Sequence, residues 1–325
     1  MASDSGLLQA YEFLKVGNTV HAKQLVEEAV ARDLDNAEAI FALSCVNFWL
    51  KYGGTLSGSG DSDGNSRTEE SSSAYEKGES LIMHWKQFVL FVNRAVQTFD
   101  DALYAVKSGV FQAALDFYRT ALAERNIADK ADVYRKIALC CKKLGDYESA
   151  LSALSEANVI VPNSALYLAE TADCYALSGD DRTAKVLFRE AFFIGAGKIE
   201  LIFLESELIG CLIDRVAGKG FAGDELAEWI PVFGVLFGVF NVKREIRAHE
   251  AGRLRQTVYA LENDLKDPAC NRMVIVPRLI NSYFWMIDYF TSAGGESRSK
   301  IDEVLLKIKL LDMSVFEQYT GMRQP

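Results

Sequence analysis

One pattern of glycine, small and large residues recurs four times along this chain of 325 residues. In each copy a glycine is followed by a small residue five positions later, a large apolar residue nine positions later and a small residue twelve positions later. The copies are Gly17/Ala22/Val26/Ala29, Gly109/Ala114/Tyr118/Ala121, Gly145/Ala150/Leu154/Ala157 and Gly179/Ala184/Phe188/Ala191. The last two copies are 34 residues apart, a period typical of stacked helical hairpins. Each glycine is expected to make the turn between the two helices of a hairpin.

The composition favours an all-α protein. Hydrophobic residues make up 50% of the chain and charged residues 25%, which is ordinary for a globular protein. Only five prolines interrupt the sequence, so long segments can be helical. The formal net charge is −10. Because nucleic-acid binding requires a basic surface that neutralises phosphates, we expect no nucleic-acid partner.

Residues 1–198 are expected to form a solenoid of about four hairpins, with one interruption. Residues 53–74 hold almost no apolar side chain, so they cannot bury enough surface to offset the entropy of ordering, and we interpret them as a flexible polar insert. Residues 75–107 return to a helical pattern that the sequence does not resolve into one helix or two. Before the insert, helices are predicted over 5–16, 19–33 and 37–52.

Beyond residue 198 the pattern fades. We expect residues 199–325 to form a helical C-terminal region that is rich in Phe, Trp and Leu and that caps the end of the solenoid. Its helices are predicted over 199–216, 224–241, 243–266, 273–292 and 297–318.

With these residues in place, the chain resembles the tetratricopeptide-repeat family, whose pattern has large and small residues on the first helix, then a turn glycine, an alanine, an aromatic, an alanine and a closing proline. The resemblance covers about half the chain and is firmest over 131–198. The best copy has Tyr134, Ile137, Ala138, Cys141, Gly145, Ala150, Leu154, Ala157 and Pro162. The next has Leu168, Thr171, Ala172, Tyr175, Gly179, Ala184, Phe188 and Ala191.

The resemblance implies a superhelix whose concave groove holds a segment of a partner protein. Some family members clamp a partner's C-terminal carboxylate with Lys and Asn, but Leu139 and Asp173 stand where two such Asn residues would be. A groove of mixed apolar and basic character instead favours an amphipathic partner helix. The groove positions are Asp132, Arg135, Leu139, Lys142 and Lys143 in one hairpin, and Asp173 and Leu177 in the next.

Two simpler interpretations of these side chains stay open. Arg135, Lys142 and Lys143 can form a solvated helix face, since exposed charges need no partner. Phe48 and Trp49, at corresponding positions nearer the N-terminus, can pack against a neighbouring helix or against 75–107 rather than against a ligand.

The sequence contains no recognisable motif for catalysis, for a cofactor or for a metal. The glycine-rich segment 218–223 lacks the Gly-Lys-Ser/Thr ending of a phosphate-binding loop, and the three histidines are far apart. The six cysteines form no Cys-x-x-Cys pair, so we expect buried thiols in a reducing compartment. We therefore predict a non-enzymatic protein without cofactor or metal. The N-terminus as written has no apolar leader, which predicts a cytoplasmic protein, or a periplasmic one if a leader has been removed.

The most apolar segment is Trp229–Val242, WIPVFGVLFGVFNV. Its 14 residues are fewer than the roughly 20 that span a bilayer, so a membrane helix is disfavoured. Either it is a buried core helix, or it is an interface for a partner or a second copy of the chain. The candidate interface residues are Trp229, Phe233, Gly234, Phe237 and Gly238, whose two glycines would let another helix approach closely.

These observations predict a scaffold or adaptor that binds another protein in the groove. The alternative function is a carrier or sensor that holds a small hydrophobic ligand among the C-terminal helices. A structural homo-oligomer assembled through 229–242 is the third hypothesis.

Overall fold

The computed structural model describes residues 5–51, 73–124, 129–242, 246–293 and 297–322. Within these ranges every regular element is helical, so the all-α prediction is confirmed. The chain forms two compact units, residues 1–161 and 162–325, and the predicted boundary at 198 falls within the second unit. All of the predicted insert 53–74 except its last two residues lies outside the described residues.

The first unit is built around one long central helix. Its helices are α1 (Ser5–Lys15), α2 (Thr19–Arg32), α3 (Ala37–Lys51), α4 (Ala74–Val92), α5 (Asp100–Ala123), α6 (Lys130–Lys143) and α7 (Tyr147–Ile160). Helices α1, α3, α4 and α6 all pack against α5, and α7 pairs with α6. The stretch 75–107, which the sequence left as one helix or two, is therefore two helices joined by residues 93–99.

The second unit joins the last hairpin to the C-terminal helices in one core. Its α-helices are α8 (Ala165–Leu177), α9 (Asp181–Gly195), α10 (Glu207–Ala217), α11 (Gly223–Leu236), α12 (Ala248–Asp264), α13 (Arg272–Ala293), α14 (Ser297–Leu311) and α15 (Met313–Gly321). Helix α10 packs on α8, and both α11 and α13 pack on α9. Two short 3-10 helices, Ala196–Lys198 and Leu201–Phe203, precede α10, and the second of them occupies part of the segment predicted as the helix 199–216.

A buried ion pair links the hairpin to the C-terminal helices within this second unit. Arg189 on α9 pairs with Asp288 on α13 and donates to the carbonyl of Val242 at 3.0 Å. Its guanidinium also lies 4.8 Å from the centroid of the Trp285 ring. Because a buried charge is tolerated only when it is paired and hydrogen-bonded, these contacts fix α9 and α13 together.

Three of the four pattern glycines make the predicted turns. Gly17, Gly145 and Gly179 have φ angles of 78°, 86° and 92°, a left-handed conformation that glycine adopts without steric cost. In each turn the N–H of the next residue donates to the carbonyl five residues before it, as in Asp146 to Cys141 at 2.9 Å. That next residue then caps the following helix, because its side chain accepts the backbone N–H three residues further on. The glycine thus ends one helix and its neighbour begins the next.

The fourth glycine does not make a turn, so the hairpin predicted at Gly109 is wrong. Helix α5 runs for 24 residues straight through this position. A Cβ atom at Gly109 would lie only 2.0 Å from the backbone oxygen of Leu14, near the end of α1. The glycine is needed here because two backbones approach each other too closely for any side chain.

Candidate functional site

An apolar cleft lies between α4 and α5 in the first unit. It has a volume of about 280 Å³. Tyr104 lies at its edge, and 55% of the surface of this residue is exposed. The lining residues are Trp85, Phe88, Val89, Val92 and Asn93 from α4 and its C-terminal end, and Asp100, Leu103, Tyr104 and Lys107 from α5. We call this feature the α4–α5 cleft.

The two helices approach closely at the end of the pair that is remote from the cleft. A Cβ atom at Gly78 would lie 2.7 Å from the ring of Tyr118, so only glycine lets that ring lie against α4. Further along, the rings of Trp85 and Phe111 meet edge to face, with centroids 4.9 Å apart. The cleft begins where these contacts end, toward the connection 93–99.

A polar network holds the start of α4 in place. The side chain of Ser73 and that of Glu76 form a capping box that begins the helix. Glu79 accepts a hydrogen bond from the Tyr118 hydroxyl at 2.6 Å. It also forms an ion pair with Lys136 of α6 at 2.7 Å. Burial, together with the bond to Glu79, raises the pKa of Tyr118 far above its usual value, so its hydroxyl stays protonated and donates.

Aromatic side chains of α3 pack behind the cleft. The ring of Phe48 lies 5.2 Å from those of Phe88 and Phe91, and Trp49 lies 5.6 Å from Phe88, between ring centroids. The packing interpretation of Phe48 and Trp49 is therefore the one that the structure supports. Their contacts with α4 support one wall of the cleft from behind.

Two oppositely charged side chains lie at different heights on the α5 wall. Asp100 is in the first turn of α5, and Lys107 is two turns further along, with its Nζ 6.0 Å from the centroid of the Tyr104 ring. Among the described residues neither of them forms an ion pair. A third charge nearby, Lys15, is already paired with Glu12 at 2.7 Å. The cleft therefore has an apolar middle with one acidic and one basic position.

The groove residues predicted on α6 lie in the interior of the protein. Arg135, Leu139, Lys142 and Lys143 are all buried, and the solvated-face interpretation of the three basic residues is wrong for that reason. Asp132 accepts a hydrogen bond from the hydroxyl of Tyr75 on α4 and lies 3.6 Å from Arg135. Their role as contacts of a partner stays a prediction, and such contact would require these side chains to become exposed.

The groove residues predicted on α8 are placed in the second unit. Asp173 is fully buried, and its carboxylate accepts the backbone N–H groups of Glu205 at 2.9 Å and Ser206 at 2.9 Å. It thereby satisfies backbone donors just before α10 begins. Leu177, at the end of α8, is half-buried.

The apolar segment 229–242 is not one continuous helix. Helix α11 ends at Leu236, and Gly238 follows in the left-handed conformation with φ 72°. The chain then folds back, so that the ring of Phe240 occupies the space beside Gly234, where a Cβ atom would lie 2.3 Å from it. The predicted helix 224–241 is therefore shorter, and Gly234 is covered by the chain's own aromatic ring.

The three aromatic candidate interface residues form a ladder along α11 and the residue that caps its end. Trp229 and Phe233 are buried, Phe237 is half-buried, and neighbouring rings along the series lie 5.6 Å and 5.4 Å apart. The guanidinium of Arg215 lies 3.8 Å from the centroid of the Phe237 ring and covers it. Their role as an interface stays a prediction.

No matching family model and no similar curated protein emerged when the chain was compared with known proteins. The tetratricopeptide resemblance therefore rests on the residues named above. In the described ranges no group of three or more His, Cys, Asp or Glu side chains is arranged to hold a metal ion. None of the helices that the structure describes is both long and apolar enough to cross a membrane.

Sequence reasoning missed the cleft. The recurrence of Trp85, Phe88 and Val92 is visible in the sequence, but it predicts an apolar helix face and not whether that face is covered. On α5 the acidic pair Asp100–Asp101 could have indicated a helix N-terminus, since acidic residues favour the first turn.

Proposed function

We propose that this protein is a non-enzymatic scaffold of tetratricopeptide-like helical hairpins, which binds a segment of a partner protein in the α4–α5 cleft. The observation that carries the proposal is the cleft itself, with its apolar walls and its partly exposed aromatic edge. Binding sites are concave, mostly apolar, and contain a few polar groups that fix orientation, and this cleft has all three properties.

The cleft replaces the face of α6 as the proposed docking site. On α6 the candidate side chains are buried, and Asp132 is already bonded to Tyr75. In the cleft, Trp85 and Phe88 are buried, but the rest of the apolar lining is half-buried or exposed. A partner can bury that open surface without first breaking intramolecular contacts.

We also propose a reducing compartment, with the cytoplasm as the first candidate. Four of the six thiols, Cys45, Cys140, Cys141 and Cys174, are buried as expected, whereas Cys211 is exposed and Cys270 is half-buried, and all six are free of disulfides. Burial raises the pKa of Cys45 to about 12, so that thiol stays protonated and unreactive.

Site-specific photo-crosslinking in the native cell tests the function. A photo-reactive phenylalanine analogue is placed at Tyr104, at the edge of the cleft, and for comparison at Tyr259, which is 68% exposed on α12. We expect one discrete partner protein to be captured from position 104 and not from 259. Equal capture from both positions, or capture from neither, would contradict the proposal.

The alternative function is that of a carrier or sensor that holds a small hydrophobic molecule among the C-terminal helices. A cleft of about 310 Å³ does lie there, but its lining includes Arg255, Lys300, Glu303 and Lys307. A strongly charged lining suits an apolar ligand poorly. The structure therefore gives less support to the carrier function than to binding of a partner protein in the apolar α4–α5 cleft. Native mass spectrometry of the purified protein distinguishes them, since a co-purifying apolar molecule supports the alternative.

A further inference from the structure

Both walls of the α4–α5 cleft are formed by the same helical spacing. The α4 wall consists of residues at positions i, i+3, i+4 and i+7, namely Trp85, Phe88, Val89 and Val92. The α5 wall repeats it with Asp100, Leu103, Tyr104 and Lys107. Residues with this spacing lie on one face of a helix, so each wall is a stripe two turns long, about 10.5 Å at 1.5 Å per residue.

Two such stripes with a gap between them form the surface on which a third helix packs. Its side chains at i, i+3, i+4 and i+7 interdigitate with stripes of the same spacing, as in other helix-in-groove complexes. An extended peptide has a period of two, so its side chains do not repeat in step with either wall. The shared spacing therefore favours a helical occupant over an extended one.

The charges of the α5 wall add a second requirement. Lys107 and Asp100 occupy opposite ends of the stripe, and among the described residues neither has an ion-pair partner. A helix seated between the walls brings its own charged positions near both of them. An acidic residue opposite Lys107 and a basic residue opposite Asp100 would each gain an ion pair, whereas the same charge at either place would be repelled.

The geometry points to one occupant of the α4–α5 cleft: an amphipathic partner helix with an apolar i, i+3, i+4, i+7 stripe, flanked about two turns apart by one acidic and one basic residue. This inference rests on the proposed function and names the chemistry of the partner. Since the charges can be satisfied with the helix running in either direction, the inference concerns the pair of charges and not the direction of the partner.

Two synthetic helical peptides of about four turns test the inference. Both have leucine at the four stripe positions and neutral residues elsewhere, but one carries Glu and Lys at the flanking positions and the other carries Lys at both. Fluorescence anisotropy of the labelled peptides gives their affinities for the full chain. We expect the Glu/Lys peptide to bind about fivefold more tightly at low salt, with the difference decreasing as salt is added.

The variant Lys107→Glu makes both charged positions of the cleft acidic. We expect it to reverse the preference, so that the Lys/Lys peptide binds more tightly. The matched control is Lys77→Glu, which makes the same charge change at an exposed position of α4 outside the cleft and should leave the preference unchanged. A third peptide keeps the leucines and the Glu/Lys pair but has proline at two of its neutral positions. It cannot be helical and should bind at least tenfold more weakly than the helical Glu/Lys peptide.

The results separate this inference from the proposed function. An unchanged preference in Lys107→Glu, or equal binding of the proline peptide, overturns the amphipathic-helix inference. If the wild-type chain binds neither helical peptide but Tyr104 still captures a discrete partner in cells, the inference fails and the proposed function stands. If capture also fails, both are wrong.

Discussion

The α6–α7 hairpin and helix α5 have the same four-position pattern but use its glycine in opposite ways. Gly145 has a φ of 86° and makes a turn with open space around it. Gly109 lies in the middle of a continuous helix, where the backbone of Leu14 leaves no room for a side chain. One pattern therefore corresponds to two structures, one that needs the flexibility of glycine and one that needs its small size.

The residue after the glycine distinguishes the two cases. Asn18, Asp146 and Asp180 follow the three turn glycines, and each caps the next helix with its side chain. Val110 follows Gly109, has no side chain that could cap a helix, and is buried in the core of α5. Among the four pattern glycines, the turn is thus made where a capping residue comes next.

The largest predicted effect is that of Gly109→Ala. The added methyl would overlap the Leu14 carbonyl oxygen, and because that oxygen belongs to the backbone, α1 must move away from α5. We expect the free energy of unfolding to fall by about 3 kcal/mol, at the upper end for overpacking, although alanine favours helices. Hydrogen exchange read by mass spectrometry should show protection in α1 and α5 falling about a hundredfold.

Gly145→Ala is the matched comparison. Its methyl meets no atom within 4 Å, so the cost is only that of a left-handed alanine, about 1–2 kcal/mol. If Gly145→Ala lowers protection in its hairpin more than Gly109→Ala does in α1 and α5, the distinction between turn and close approach is wrong.

Tyr118→Phe tests the large residue of the same pattern copy. The change removes the hydrogen bond from Tyr118 to Glu79, which leaves one oxygen of a partly buried carboxylate with fewer donors. We expect the free energy of unfolding to fall by about 1–2 kcal/mol, as measured by urea unfolding followed through hydrogen exchange of α4. Tyr147→Phe, at a half-buried position of α7, is the control and should change stability by less than about 0.5 kcal/mol.

The smallest predicted effect concerns the cap of α7. Asp146→Ala removes the side chain that accepts the N–H of Ser149 at 3.1 Å, at a cost of about 1 kcal/mol. The hydrogen bonds from Ser149 lower the pKa of Asp146 below its ordinary value of 3.8. The extra stability is therefore present above pH 3.8 and is lost as the pH falls through the lower pKa of the folded state.

The variant Asp146→Asn isolates this pH dependence. Asparagine also accepts the N–H of Ser149 but does not titrate, so the start of α7 should keep its hydrogen-exchange protection through the acid range. The cap assignment fails if the wild-type protein and Asp146→Asn lose protection in α7 over the same pH range.

Local patterns predicted the three turns at Gly17, Gly145 and Gly179 because the information there is local. The first three helices end within one residue of their predicted bounds, since Gly17–Asn18 and the polar run after Arg32 act on the adjacent backbone. The end of α11 at Leu236 was missed, because it depends on Phe240 folding back over Gly234. Helical periodicity in the sequence does not predict such a contact, because it joins residues six positions apart within one apolar run.

The α4–α5 cleft could not be predicted for a similar reason. Its walls have the ordinary spacing of helices that bury an apolar face, and whether that face is covered depends on how two helices diverge. That divergence is set by Gly78 against Tyr118 and by the connection 93–99, which contains neither glycine nor proline to indicate a break. The burial of Arg135 and Lys142 was likewise set by tertiary packing, since both are polar in sequence.

The most direct test of the central claim combines crosslinking at Tyr104 with two leucine variants. Leu103→Asp puts a charge on the wall of the cleft, and Leu90→Asp makes the same change at a 58% exposed position of α4 outside the lining. We predict that Leu103→Asp abolishes capture of the partner from position 104 and that Leu90→Asp leaves it intact, with both variants keeping the wild-type helix content. Undiminished capture by Leu103→Asp would contradict binding in the α4–α5 cleft.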